Sequence, residues 1–292
     1  MKFNSMKILI VGFGDVGSAL HKIIKNSGIC GKSGLQIFDP HLEYRTNIYD
    51  YDVIHICIPY NDKFKRNFLT IVEQFNSKVV IIESTVSIDC FENIDLYKDR
   101  LWIYSPVRGT HPDMVYGLRH FVKFGAPIIS KQLNDINTFT IMYYDELGIN
   151  FDIKTDYKAL ILGKLLSTSW YGMLIAFCNN IKQICEKNDI SFEESYYNWM
   201  LTDEIGQNYT KCGDGRAKSS KIINRPVMTP GKIGGHCVIP NIELLSHYAP
   251  LLFRYIDEFK KEKAYELPTE YEHEFIHSKG LQSDGLSNSK KI

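Results

Sequence analysis

The chain has 292 residues, of which 44% are hydrophobic, a share typical of soluble globular proteins, and its length suffices for one large or two ordinary domains. Its 34 basic and 34 acidic side chains give a formal net charge of zero, which disfavours a broad nucleic-acid-binding surface. Seven cysteines without a CxxC pair, and no visible secretory leader, disfavour a metal site and predict a cytoplasmic protein with reduced thiols.

The first half of the chain alternates strand-like and helix-like segments. Helices are predicted in DVGSALHKIIKNSG, FKRNFLTIVEQF and LNDINTFTIMYYDELG. Strands are predicted in KILIVG, LQIFDP, DVIHICIP, KVVIIEST, LWIYSPV, HFVKFGAPII and NFDIKT. This alternation predicts a Rossmann-type α/β domain over residues 1–154, with a doubly wound parallel sheet covered by helices on both faces.

The second half predicts a helical domain over residues 155–265. One long helix is expected from Asp156 to Lys187; it is long enough to cross a bilayer, but its internal polar residues favour a buried central helix and no membrane contact. A second helix is predicted in SFEESYYNWMLTDEIG, with Ser191 as N-cap and Glu194 completing a capping box. After a Gly- and Pro-rich loop over 211–241, a last helix begins at Ile242, and residues 266–292 form a polar, partly disordered tail.

The sequence VGFGDVG carries a G-x-G-x-x-G pattern between a predicted strand and a predicted helix, which is the context of a dinucleotide-binding turn. The first glycine allows the tight turn, the second lets the backbone approach a pyrophosphate, and the third lets helix and strand pack closely. The helix N-terminus then offers N–H groups to the phosphates. The predicted cofactor-binding residues of the turn are Gly12, Phe13, Gly14, Asp15, Val16 and Gly17.

Asp39 ends the second predicted strand, where a carboxylate can accept hydrogen bonds from the ribose hydroxyls of NAD and would repel the 2′-phosphate of NADP. His41 and Arg45 follow closely, so NADP is disfavoured but not excluded. Pro59 and Thr85 follow the third and fourth strands and are predicted to line the nicotinamide slot.

Three further stretches offer groups for substrate and proton handling. Arg108 and His111, in SPVRGTHP, are candidates to hold an anionic or polyhydroxylated substrate. Lys164 is a cation inside an apolar helix, where it must be paired, lowered in pKa or facing a cleft, and in a cleft it could polarise an oxyanion or move a proton. Cys237, in PGKIGGHCVIP, follows glycines whose N–H groups could cradle an oxyanion or a phosphate.

Together these motifs resemble the nucleotide-sugar 6-dehydrogenases, which act on UDP-glucose, UDP-N-acetylmannosamine or GDP-mannose. The resemblance covers roughly residues 6–250 and rests on VGFGDVG, CIP, ESTV, SPVR, GKLLSTSWYGMLIAFCNN and PGKIGGHCVIP. It implies two NAD-dependent oxidations of a primary alcohol to a carboxylate, through a thiohemiacetal and a thioester on the cysteine. By position it assigns the nucleophile to Cys237, the catalytic lysine to Lys164 and placement of the hydrolytic water to Thr85.

The sequence departs from this family at four positions. Thr168 stands where the family has asparagine, Asn241 where it has aspartate, Val107 where it has glutamate, and Lys232 where it has glycine. Neither Asn241 nor Val107 can act as a carboxylate base, which puts thioester hydrolysis in question. The chain also resembles a short form without the family's C-terminal nucleotide-binding domain. By the same resemblance Thr168 and Asn241 are candidate catalytic residues, and the remaining candidate substrate-binding residues are Lys232, Gly234, Gly235 and His236.

The sequence therefore predicts an NAD-dependent dehydrogenase that oxidises a primary alcohol of a sugar or sugar nucleotide. Two alternatives stay open: a non-catalytic NAD-binding scaffold derived from this family, and a two-electron dehydrogenase of the hydroxy-acid type that uses Lys164 and ignores Cys237. The apolar long helix predicts a homodimer.

Overall fold

Seven strands form one sheet in the order β2-β1-β3-β4-β5-β6-β7. The computed structural model describes residues 5–31, 33–92, 96–109, 113–200, 202, 228–234 and 237–260. The strands are β1 (Ile8–Val11), β2 (Leu35–Phe38), β3 (Asp50–Ile56), β4 (Asn76–Ile82), β5 (Leu101–Tyr104), β6 (Lys123–Pro127) and β7 (Phe151–Ile153).

Helices cover both faces of this sheet. The helices of the chain are α1 (Asp15–Ser27), α2 (Phe64–Gln74), α3 (Met114–His120), α4 (Leu133–Glu146), α5 (Tyr157–Lys187), α6 (Val238–Leu245) and α7 (Pro250–Glu258), and those that pack on the sheet are α1 to α4 and the first turns of α5. One buried cluster joins strand residues such as Ile10 and Ile81 to α1, α3 and α4. The other joins Leu9 and Val80 to α2 and to the first turns of α5. Since both faces are buried, the strands read as continuous apolar runs, and the predicted doubly wound α/β fold is confirmed.

The sheet is not parallel throughout, which corrects the expectation of a wholly parallel sheet. Strand β6 pairs antiparallel with β5, and β7 pairs parallel with β6. Antiparallel neighbours need no crossover, so the connection from β5 to β6, with the short α3, begins and ends at one edge of the sheet. This keeps the SPVRG segment at the carboxyl ends of β1 to β5.

The chain divides into two compact units. The first comprises Met1–Ser169 and Asn241–His247, and the second comprises Trp170–Pro240 and Tyr248–Ile292. The sheet belongs to the first unit, and Cys237 belongs to the second. In the second unit a buried cluster joins α5 to the segment after it, with Cys178, Phe192 and Tyr196 at its centre.

The sequence predicted a buried central helix, but in the structure α5 is not buried on all sides. By length and composition alone, the helix could cross a membrane. Of its most apolar stretch, 33% is buried within the protein. One side packs inward, whereas the other exposes a stripe of apolar residues at helical spacing. The stripe consists of Leu162, Leu166, Trp170, Phe177 and Ile184.

The predictions for the helices after α5 are partly confirmed. The Ser191 hydroxyl accepts a hydrogen bond from the Glu194 backbone N–H, as an N-cap does, but it is Glu193 whose carboxylate binds that hydroxyl. A π-helical turn over Glu193–Tyr197 follows. The single last helix expected from Ile242 is two helices, α6 and α7, and Pro250 occupies the start of the second. The predicted tail, 266–292, lies outside the described residues.

Candidate active site

The glycine turn after β1 is tightly packed at two of its glycines and open at the third. Gly12 has φ +87°, and a Cβ there would lie 2.7 Å from the Cys57 carbonyl oxygen. A Cβ on Gly17 would lie 2.0 Å from the Gly12 carbonyl oxygen, so only glycine lets α1 pack this closely on the turn. Gly14 is different, since a Cβ there would meet nothing within 4 Å. The turn is therefore closed towards the protein and open at Gly14, where a phosphate would approach.

The N-terminus of α1 faces this opening without a side-chain cap. Gly14 is the N-cap residue and carries no capping side chain, so no side-chain hydrogen bond caps the first turn. Uncapped N–H groups and the positive end of the helix dipole suit a pyrophosphate. Phe13 packs edge-on against His21 and Tyr44, and Val16 packs against the core. Asp15 occupies the first turn of the helix.

Asp39 is fixed beside the glycine turn by backbone N–H groups. One carboxylate oxygen accepts from Phe13 N at 2.8 Å, and the other accepts from His41 N at 3.0 Å and Leu42 N at 3.3 Å. The Arg45 guanidinium donates to the carbonyl oxygens of Asp39, Pro40 and Tyr44. The carboxylate is thus held at the end of β2, and Arg45 is engaged with the backbone of the same loop.

The ends of β3 and β4 are tied together next to this turn. The Ser84 hydroxyl donates to the Ile58 carbonyl oxygen at 2.6 Å, which fixes the segment that carries Pro59. Pro59 is exposed and Thr85 is half-buried. Both residues follow the carboxyl ends of neighbouring parallel strands, and their place in the walls of a nicotinamide slot stays a prediction.

Beneath this edge lies a buried polar cluster that the sequence analysis missed. The Glu83 carboxylate hydrogen-bonds to His55 Nδ1 at 2.9 Å and accepts from Lys123 Nζ at 2.6 Å. Lys123 also donates to the Ser105 carbonyl oxygen at 2.8 Å, and His55 Nε2 hydrogen-bonds to the Tyr143 hydroxyl at 2.7 Å. Glu83 and Lys123 thereby connect the segments that carry Thr85 and Arg108.

The charge state of Glu83 follows from these contacts. Burial by itself would raise the pKa of the Glu83 carboxyl, but the Lys123 ammonium and the hydrogen bond from His55 outweigh it, and the pKa lies below its ordinary value. The side chains of Glu83 and His55 are fully buried, and that of Lys123 is 2% exposed. The cluster therefore holds a paired charge inside the first unit.

A cavity of about 690 Å³ in the first unit joins several candidates predicted separately. The segment after β5 contributes Arg108, and α5 contributes Lys164 and Thr168. Lys164 is half-buried and lines this cavity, which is one of the three situations expected for a cation in the apolar helix. Residues around Arg108 that the sequence analysis did not single out complete the wall. Among them are Phe121, Phe124, Lys154 and Asp156.

Thr168 and Asn241 are joined to each other. The Thr168 hydroxyl donates to the Lys164 carbonyl oxygen at 2.9 Å and accepts from the Asn241 amide at 2.8 Å. Asn241 is 4% exposed. The pair links α5 to α6, and the only hydroxyl proton of Thr168 is already engaged with the helix backbone.

In the second unit, Asn179 anchors the segment that leads to Cys237, at Gly231. This side chain is fully buried, accepts from Gly231 N at 2.7 Å and donates to Gly231 O at 2.8 Å and to Phe259 O at 2.6 Å. Lys232 is exposed, and Gly234 and Cys237 are half-buried, with Cys237 directly before α6. The predicted site residues His111, Gly235 and His236 lie outside the described residues.

Comparisons with known proteins support the fold. No protein-family model matches the chain, and no curated protein matches it. Among solved structures, it is similar to a UDP-N-acetyl-mannosamine dehydrogenase from Staphylococcus aureus, with TM-score 0.60 and 14% identity over 96% of this chain and 72% of that one. It is similar to a UDP-N-acetyl-mannosamine dehydrogenase from Pyrococcus horikoshii, with TM-score 0.62 and 16% identity over 87% and 68%. A 3-hydroxyisobutyrate dehydrogenase from Mycobacterium tuberculosis shares the fold at TM-score 0.56 and 12% identity, over 96% and 94%.

Proposed function

We propose that this protein is an NAD-dependent dehydrogenase that oxidises a primary alcohol of a sugar or sugar nucleotide, as the nucleotide-sugar 6-dehydrogenases do. The observation that carries the proposal is the pairing, in one unit, of an open glycine turn with a cavity that contains Lys164 and Arg108. Strands β1 and β5 are three inter-strand spacings apart, about 14 Å. An extended dinucleotide lying across the carboxyl ends of the strands covers that separation.

The cofactor is held by groups whose chemistry suits NAD. A bound pyrophosphate would be held by Gly14 and the N-terminus of α1, and a ribose hydroxyl could donate to the remaining lone pair on Asp39 Oδ2. NAD is favoured over NADP because a carboxylate at Asp39 repels a 2′-phosphate, and Arg45 is engaged with three carbonyl oxygens. The bound nicotinamide would supply the hydride acceptor.

Lys164 is the residue we assign to the alcohol proton. A half-buried lysine in a cavity can accept the alcohol proton as the neutral amine, and the ammonium so formed then releases that proton to solvent. Thr168 and Asn241 position this part of α5, since their hydrogen bonds are made to the helix backbone and to each other. Arg108 holds the substrate. Cys237 is the candidate nucleophile for a second oxidation.

Counting NADH tests this proposal and separates it from its rivals. With NAD and a panel of sugar nucleotides, oxidation to the acid yields two NADH per substrate, and Cys237→Ala stops it after the first oxidation. Lys164→Met lowers kcat by about 10²-fold or more, the range for a lost general acid–base group. Tight NAD binding without turnover of any sugar substrate would contradict the proposal and favour a non-catalytic scaffold.

A simpler two-electron oxidation is favoured by the surroundings of two residues. Val107 is 5% exposed and packs in the apolar core with Met114 and Leu118, and the amide of Asn241 is engaged with Thr168. Neither position supplies a carboxylate to activate water for thioester hydrolysis. One NADH per substrate, unchanged in Cys237→Ala and abolished in Lys164→Met, would establish this alternative.

We also propose that the protein is a homodimer through the exposed stripe of α5. A 31-residue helix is about 46 Å long and can pair with its copy about a twofold axis. The stripe supports this because its apolar residues repeat along one face, and a self-complementary interface covers them all at once.

A further inference from the structure

We propose that Glu83 and Lys123 are positioning residues, which set the spacing between the segment with Thr85 and the segment with Arg108. The first segment is the predicted nicotinamide wall, and the second is a wall of the cavity. This inference rests on the proposed function only for its effect on turnover. The spacing itself can be tested in a protein that turns nothing over.

The two segments begin at neighbouring strand ends. Glu83 directly follows β4, and its N–H donates to the carbonyl oxygen of Ile56, the last residue of β3, at 2.9 Å. Ser105 directly follows β5, and its N–H donates to the carbonyl oxygen of Ile82, the last residue of β4, also at 2.9 Å. A side chain that joins Glu83 to Ser105 therefore fixes the ends of β4 and β5 relative to each other.

Lys123 makes that link. Because β6 runs antiparallel to β5, its first residue, Lys123, lies at the same edge of the sheet as Ser105. The Lys123 ammonium donates to the Glu83 carboxylate at 2.6 Å and to the Ser105 carbonyl oxygen at 2.8 Å. The Ser105 hydroxyl donates to the Phe124 carbonyl oxygen at 2.8 Å, so a second hydrogen bond ties the end of β5 to β6.

Few residues separate this link from the candidate site. Thr85 lies two residues after Glu83, and Arg108 lies three residues after Ser105. Pro106, which directly follows Ser105, lines the cavity together with Arg108. One lysine side chain thus connects the backbone of the predicted nicotinamide wall to the backbone of the cavity wall.

His55 extends the cluster towards the glycine turn. His55 Nδ1 donates to the Glu83 carboxylate at 2.9 Å, since an ionised carboxylate can only accept. Cys57 follows two residues later, and a Cβ on Gly12 would lie 2.7 Å from the Cys57 carbonyl oxygen. The strand that carries His55 is therefore packed against the turn that would hold the pyrophosphate.

Stability alone does not account for the cluster. The side chains of Glu83 and His55 are fully buried, and that of Lys123 is 2% exposed. Desolvation offsets most of the attraction within a buried ion pair, and well-packed apolar side chains of similar volume stabilise a core as well or better. An ion pair that also binds an imidazole and a carbonyl oxygen fixes directions as well as distances. Such a pair, three residues or fewer from the site, is what a positioning role predicts.

The main test variant is the double substitution Glu83→Gln/Lys123→Met. Either single substitution leaves a buried charge without its partner, so the variant loses stability as well as the link. The double substitution removes both charges at similar volume, so we expect its thermal midpoint to lie closer to that of the wild type than either single variant does. It also removes the donor to the Ser105 carbonyl oxygen, and with it the link between β4 and β5.

Steady-state kinetics with NAD and sugar nucleotides, and NADH titration, measure the effect on the site. We expect kcat of the double variant to fall about tenfold or more, because a misplacement of about 1 Å between reacting groups suffices for such a loss. NADH affinity should stay within about threefold of wild type, because Gly14 and Asp39 keep their surroundings. A role in stability alone would lower neither kcat nor NADH affinity once the fold is restored.

Amide hydrogen exchange tests the spacing without turnover. The Ser105 N–H should exchange about tenfold faster in the double variant, since the strand end opens locally more often. Exchange at Ile81, inside β4, should stay unchanged. Ser105→Ala is a second, milder variant for the case that the double variant does not fold, because it removes one uncharged hydrogen bond. It should lower kcat about threefold and accelerate exchange at Ser105 by a similar factor.

Asp52→Asn/Lys78→Met is the matched control. Asp52 and Lys78 also form an ion pair between neighbouring strands, β3 and β4, at 2.8 Å, but at the amino ends of these strands. This variant loses the same two charges, and it should keep both kcat and the exchange rate of Ser105.

Wild-type kcat in the double variant, wild-type exchange at Ser105, or an equal loss of kcat in the control variant would each overturn the inference. If the wild type forms no NADH from any sugar, the proposed function fails, and faster exchange at Ser105 in the double variant keeps the inference. Turnover by the wild type, with unchanged kcat and unchanged exchange in the double variant, would do the reverse.

Discussion

At the residue scale, Gly14 and Gly17 share one turn but have different surroundings. A methyl group at Gly14 meets only open space, whereas at Gly17 it collides with the Gly12 carbonyl oxygen. We expect Gly14→Ala to keep its stability and lose roughly tenfold in NADH affinity, because the methyl group occupies the path of the pyrophosphate. Gly17→Ala should lose about 1–3 kcal/mol of stability from overpacking. Thermal unfolding without nucleotide and NADH fluorescence titration measure the two effects. A wild-type NADH affinity in Gly14→Ala would contradict the assignment of the turn.

The lowered pKa of Glu83 predicts how the stability of the protein depends on pH. Its pKa is lowered in the folded protein, so its contribution to stability is complete above the unfolded pKa, about 4.3, and is lost as the pH falls towards the folded value. Glu83→Gln should cost about 3–5 kcal/mol at pH 7, because Lys123 then stays buried without its anion. The difference from wild type should be constant between pH 7 and about pH 5 and shrink below about pH 4.

Urea unfolding at several pH values measures this difference. Glu92→Gln serves as the control, because Glu92 also pairs with a lysine but is 46% exposed. An exposed pair contributes about 1 kcal/mol or less. Equal losses of stability in the two variants would show that the buried pair contributes no more to stability than the exposed pair.

The residues predicted from sequence are those whose signal is local. The glycine turn is a spacing pattern within seven residues, and Lys164 is conspicuous as a cation in an apolar helix. Lys154 and Asn179 carry no such signal. Lys154 reaches the ring of Phe124, which lies on another strand, and Asn179 contacts Gly231 and Phe259, which lie 52 and 80 residues away.

At the element scale, Asn179 makes the segment around Gly231 depend on α5. Asn179→Ala removes three hydrogen bonds, at about 1 kcal/mol each, and should cost about 3 kcal/mol. Amide hydrogen exchange should accelerate at Gly231 and stay unchanged at Ile81 in the sheet. Asn180→Ala removes a single hydrogen bond, to the Tyr255 hydroxyl, and should have a smaller effect. Equal exchange at Gly231 in both variants would refute the anchoring role.

The sequence predicts which segments are strands or helices better than it predicts the direction of a strand or a break in a helix. All seven predicted strands are present in the sheet, because each is a short apolar run bounded by turn residues. The antiparallel direction of β6 could not be read from its sequence, because it depends on how the chain returns after α3. The break between α6 and α7 has a local signal in Pro250, which favours the first turn of a helix over its interior.

At the scale of the whole molecule, the stripe of α5 predicts the oligomeric state. Trp170 is 61% exposed and lies in the stripe, and Ile141, on α4, is equally exposed but lies elsewhere. We expect light scattering to give a dimer for the wild type and for Ile141→Glu. Trp170→Glu should raise the dimer dissociation constant roughly thirtyfold or more, as loss of a central interface residue does. A monomeric wild type would contradict the proposed dimer.

The lengths of the outer strands bear on how the protein stays in solution. β2 and β7 form the two borders of the sheet and are four and three residues long. Edge strands carry unpaired backbone groups through which chains can pair into amyloid-like stacks. Short edge strands offer few such groups. Insertions that lengthen β7 would therefore endanger the protein through aggregation, even where they leave every residue of the cavity in place.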